Sequence, residues 1–176
     1  MRYYCLLLLL LSGCGNNLHI EAKYQPYVTA FEKRSITYGN PVQITNLKIC
    51  TVPTITPNNV IAQCFYYITP TIKVSEEFWS QMDVYLREQV LFHEIGHCIL
   101  HRGHRSDLNN NIPLSIMNPY ELSADQYKNN YVQYMHELFF ANDLQSELPL
   151  KYISEDKNQA VEIEALFAPY EAIDAN

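Results

Sequence analysis

The sequence has no long run of basic residues, no internal repeat and no apolar stretch long enough to cross a bilayer as a helix. The first absence, with a net charge of -7, removes the electrostatic footprint that nucleic acid requires. The second leaves a single domain as the expectation for 176 residues. The third concerns the apolar run Cys5 to Leu11, which is far shorter than the roughly 20 residues of a membrane-spanning helix. What is present is core material. Apolar residues make up 48% of the chain, and fourteen tyrosines and seven phenylalanines argue against disorder.

The short apolar run follows Arg2 and fits the middle region of a secretory signal. It ends in Leu11-Ser12-Gly13-Cys14, which resembles the bacterial lipoprotein box. The resemblance implies cleavage before Cys14, acylation of that cysteine and anchoring in the bilayer through several acyl chains. Gly15 follows the cysteine in place of an aspartate, which by the same resemblance implies sorting to the outer membrane of the bacterial envelope. The organisation expected is a lipoprotein signal peptide over 1–13, a tether and lead-in over 14–40, a catalytic domain over 41–145 and an acidic extension over 146–176.

Export places Cys50, Cys64 and Cys98 in an oxidising compartment. Cys50 and Cys64 sit in strand-like runs on either side of a proline-rich turn, which makes them the expected pair; three buried thiols is the alternative. Cys98 is read as packing, because on a helix it points about 100° away from His97.

Residues 16–40 are polar and mixed, and read as an irregular lead-in. The runs 41–52 and 59–75 are rich in Val, Ile, Thr and Tyr and read as strands, the second split or confined to an edge by Pro70. Ser75-Glu76-Glu77 reads as a short helix start, and Asp83 as the cap of a longer helix over 84–100. Residues 102–119 read as loop, 123–141 as a further helix, and 155–167 as one more near the acidic end.

Four of the six histidines, His93, His97, His101 and His104, fall within twelve residues. His93-Glu94-x-x-His97 is a zinc motif with explicit mechanics. Residues four apart share one helix face, so both imidazoles reach one ion, and Glu94 points into the same cleft as a general base. A catalytic zinc takes three protein ligands and leaves a fourth position open. His101 continues the spacing, but on an unbroken helix it lies about 12 Å along the axis from His93. Gly103 tolerates positive φ and can turn the chain back, so His104 is the expected third ligand. Glu121, in Glu-x-x-x-Asp, and Asp107 remain alternatives.

HEIGHCILHRGH followed by Ser115-Ile116-Met117-Asn118-Pro119 resembles the metzincin zinc endopeptidases, with one extra residue before the third histidine. The stretch from about Trp79 to Phe140 is also similar to a group of bacterial lipoprotein zincins with this spacing. The resemblance implies a Met-turn, with Met117 as an apolar floor beneath the metal. It also implies an α+β, zincin-like fold: a small mixed β-sheet packed on an active-site helix, with further helices after the Met-turn. Tyr120 is a candidate oxyanion donor in some metzincins; ordinary packing is the alternative.

These readings converge on a membrane-anchored zinc endopeptidase, with Glu94 taking the proton of a zinc-activated water and passing it to the leaving amine. The partners expected are a peptide or protein substrate, extended along an edge strand in the region 60–73, and a lipid bilayer through Cys14. A zinc-binding envelope lipoprotein without catalysis is the alternative, against which the intact Glu94 argues. A plain surface lipoprotein with chance histidines is the third class. No long pro-segment is visible between Cys14 and the first helix expected.

Overall fold

A computed structural model describes residues 17–56, 60–140 and Phe167. Cys14, the signal region and all of the acidic extension except Phe167 lie outside the described residues.

The architecture is α+β: a small mixed sheet with several helices. Strands β1 (Asn17–Ile20), β2 (Asn46–Val52), β3 (Ala62–Phe65) and β4 (Thr71–Ser75) are arranged in the order β1-β2-β4-β3. β1 and β4 run parallel to β2, and β3 runs antiparallel to β4. Strand alternation explains which face is buried. Leu47 and Ile49 of β2, with Ile72 and Val74 of β4, have no exposed surface, while Lys48 between them is exposed. Pro70 lies between β3 and β4 and its carbonyl accepts from Lys48 N–H, so the second strand-like run is two strands. The edge strand is β3; β4 lies inside the sheet.

The expected irregular lead-in is instead ordered structure. After β1 come a 3-10 turn (Ala22–Tyr24) and helix α1 (Gln25–Thr37), with Pro26 in its first turn, where no intrahelical N–H is needed. Its polar residues obscured the stripe of Tyr27, Val28, Phe31 and Ser35, all buried. Phe31 meets Phe92 and Phe139 edge-on, with ring centroids 5.1 and 5.0 Å apart, so this segment builds the core.

Helix α2 (Glu76–Trp79) is one turn, and its Trp79 packs edge-on against Tyr24 and Tyr27. Helix α3 (Val84–Cys98) starts at Asp83, whose carboxylate accepts from the N–H groups of Tyr85 and Leu86. A hairpin of β5 (Leu108–Asn109) and β6 (Ile112–Pro113) interrupts the following loop. The single helix expected over 123–141 is two, α4 (Ala124–Asn129) and α5 (Tyr131–Phe140), separated at Asn130. Ser123 and Gln126 cap α4 reciprocally. Phe167 is fully buried against Tyr85, Tyr127 and Tyr131. Among the described residues no helix is long and apolar enough to cross a membrane.

Candidate metal centre

His93 and His97 lie one turn apart near the C-terminal end of α3. The helix ends at Cys98, earlier than expected, and the chain reverses through His101, whose φ is 54°. Arg102 N–H donates back to the Gly96 carbonyl at 3.0 Å, and Tyr66 Oη donates to the His97 carbonyl at 3.1 Å. These bonds satisfy carbonyls that a helix end leaves free. The turn therefore falls on His101, not Gly103; Gly103 is exposed, with nothing within 4 Å of where a Cβ would stand. The left-handed residue after the helix removes His101 from the helix face, where it stacks on Tyr66 with centroids 6.3 Å apart.

The reversal brings His104 back to the helix. One nitrogen from each of His93, His97 and His104 lies within 4.8 Å of the others, close enough for the three to bind one metal ion. The Nε2 atoms of His93 and His97 are 3.0 Å apart. Tetrahedral coordination at about 2.0–2.1 Å implies roughly 3.3 Å between nitrogens, so only small rotations are needed. The tautomers agree with this. His93 Nδ1 donates to the Ile116 carbonyl at 2.8 Å, and His97 Nδ1 to the Arg102 carbonyl at 2.6 Å. A carbonyl only accepts, so the proton of each neutral ring is on Nδ1 and both Nε2 lone pairs face each other. Burial holds His93 well below the usual imidazole range, at about 4, and lowers His97 as well. Two facing lone pairs in rings kept neutral call for a cation between them.

Glu94 is 8% exposed, beside the first histidine. Its Oε2 accepts from Cys64 N–H on the edge strand at 2.7 Å. Desolvation pushes its carboxyl up to about 7, against the opposing pull of that N–H.

Met117 has no exposed surface. A Cβ placed on Gly96 would stand 2.8 Å from its Sδ, so the methionine lies against the helix backbone between the two histidines and needs the glycine. Arg105 N–H donates to the Met117 carbonyl at 2.9 Å, which ties the residue after His104 to the same turn.

The other candidates lie elsewhere. Glu121 is exposed, and desolvation together with the nearby charge of Asp83 raises its carboxyl. Asp83 caps the start of α3, ten residues or about 15 Å from His93 along the axis. Asp107 is exposed and accepts from Arg105 Nε at 2.7 Å. Tyr120 is 78% exposed, so the packing alternative for it fails.

The expected Cys50–Cys64 pair is not formed: Cys64 is bonded to Cys98, and Cys50 is free. Sheet geometry gives the reason. Cys64 stands opposite Ile72, and Ile72 beside Ile49, on the face that meets α3. Cys50 follows Ile49 and so projects from the opposite face. Cys98, read as packing, points at β3 because it points away from the metal. The disulfide thus holds the edge strand, and the N–H that reaches Glu94, against the metal-bearing helix.

Sequence reasoning missed the carbonyls of Arg102 and Ile116, the Cys64 N–H and Tyr66. Backbone groups carry no sequence signal, and the sulfur pairing depends on the sheet. No family model matches this chain, and neither does any curated protein or solved structure compared with it.

Proposed function

We propose that the protein is a zinc-dependent endopeptidase of zincin type, held at the bacterial envelope through a lipid on Cys14. The observation that supports this reading best is the meeting of three imidazole nitrogens beside a buried glutamate on an edge-strand flank. The residues fit the ion: three neutral imidazoles suit zinc, and a three-ligand site keeps one position for reaction. When bound, zinc would supply Lewis-acid chemistry, polarising a carbonyl and acidifying a water.

The chain's own groups do the rest. Glu94, raised toward neutrality by burial, accepts a proton near pH 7 and returns it to the leaving amine. Cys64 N–H holds that carboxylate in place. The carbonyls of Ile116 and Arg102 hold the two helix imidazoles with Nε2 forward. An extended peptide laid along β3 places its scissile bond over this group. The lipoprotein anchor rests on the LSGC box alone.

The test is metal content and peptide hydrolysis of wild type and Glu94→Gln. Both should contain one zinc per chain, and hydrolysis should fall about 10²–10⁴-fold in the variant, the usual worth of a positioned base. Equal hydrolysis by the two proteins would sink the proposed mechanism.

A further inference from the structure

Glu137 lies on α5, away from the metal motif, and is 1% exposed. A buried carboxylate is expensive unless its oxygens are matched, and here each is matched by a segment that touches the metal centre. Oε1 accepts from the Arg102 guanidinium and lies 3.4 Å from Nη1 of Arg105. Oε2 accepts from Ser115 Oγ at 2.5 Å. Arg102 also donates through Nη1 to the Glu137 carbonyl at 3.2 Å, which fixes its guanidinium against the helix.

The partners coincide with the groups that aim the ligands. Arg102 supplies the carbonyl that accepts from His97 Nδ1. Ser115 precedes Ile116, whose carbonyl accepts from His93 Nδ1, and Ser115 Oγ accepts from Met117 N–H at 2.9 Å. Arg105 follows His104, and its N–H donates to the Met117 carbonyl. One carboxylate therefore holds the segments that orient all three histidines, although 33 residues separate it from the third.

We infer that Glu137 is the positioning residue of the metal centre: it ties the segment 102–105 to the turn 115–117 and so sets the aim of His93, His97 and His104. The inference rests on the metal reading above. Groups that orient metal ligands commonly contribute about 10–100-fold to affinity, which sets the size expected here.

The test is competitive zinc titration of the full chain as wild type, Glu137→Gln and Glu88→Gln, all below their melting temperatures. It is accompanied by the visible absorption of the cobalt-substituted proteins. Glu88 is a second fully buried glutamate, bonded to Tyr127 on the far half of α3, so its variant reports general loosening. Glu137→Gln should lose about 10–100-fold in zinc affinity and alter the cobalt bands, while Glu88→Gln keeps both. Wild-type affinity and spectrum in folded Glu137→Gln, with tight binding in the wild type, overturns the inference alone. A wild type that binds no stoichiometric zinc overturns the metal reading and the inference with it. If Glu137→Gln does not fold, Arg102→Lys tests the same link: it keeps the charge but loses the fork. A several-fold drop in affinity supports the inference, and wild-type affinity overturns it.

Discussion

Two buried glutamates on α3, six residues apart, have opposite surroundings. Glu88, in the N-terminal half, has no exposed surface. It accepts from Tyr127 Oη at 3.0 Å and lies 3.9 Å from an Arg34 nitrogen. Glu94, in the C-terminal half, accepts from a backbone N–H, and burial pushes it up to about 7. A carboxylate matched by a cation and a hydroxyl is a cross-link between helices. One that is desolvated and partnered by a neutral amide exchanges a proton readily near neutral pH. The same residue type on one helix thus serves packing at one end and suits chemistry at the other, and the neighbours make the difference.

The sharpest way to break this comparison is to neutralise both. Glu94→Gln should lose about 10²–10⁴-fold in hydrolysis with little change in stability. Glu88→Gln should lose about 3–5 kcal/mol of stability, the usual result of stripping a buried charge pair of one member, yet keep its zinc. Chemical denaturation and peptidase rates on the two variants read both axes; a swap of the two outcomes would reverse the assignment.

The next effect concerns the ligands themselves. His104→Ala should weaken zinc binding by more than about 100-fold, because losing a ligand exceeds losing a group that merely orients one. His101→Ala and Glu121→Ala should each leave affinity within a few-fold of wild type, since neither belongs to the three-histidine group. Competitive titration checks this, and zinc loss in Glu121→Ala with retention in His104→Ala would refute the assignment.

Cutting the disulfide probes how the chemical half is held. Cys98→Ser should cost about 2–4 kcal/mol, as the bond closes a loop across a sequence separation of 34. It should also lower hydrolysis more than zinc affinity, because β3 carries the amide on Glu94 while the ligands stay on α3. Thermal melts and rates, with and without reductant on the wild type, provide the measurement.

The smallest effect expected is at Gly96. Gly96→Ala should cost about 1–3 kcal/mol through displacement of Met117, partly offset by the better helix propensity of alanine. Unchanged stability would mean that the methionine yields without strain.

Much of the chemistry was legible because it depends on local periodicity. Four-residue spacing sets His93 and His97 on one face wherever that helix packs, and Asp83 announces the helix start through a contact two and three residues away. Pro70 splits its run because it cannot donate to a ladder. Helix α1 was missed because its apolar stripe is interrupted by charged residues, and only the aromatic core it joins decides the helix.

By itself the sequence determined the composition of the metal centre: two histidines and a glutamate on one helical turn, with a further histidine after a short stretch. Tertiary structure alone decided which residues meet them. Cys64 joins Cys98 and not Cys50 because residues 49 and 50 project from opposite faces of the sheet. Glu137 reaches residues 102, 105 and 115 because α5 packs against both loops, which places those side chains together across gaps of 22 to 35 residues. Contacts of that span leave no periodic trace, since they depend on the packing of whole elements and not on the geometry of one turn.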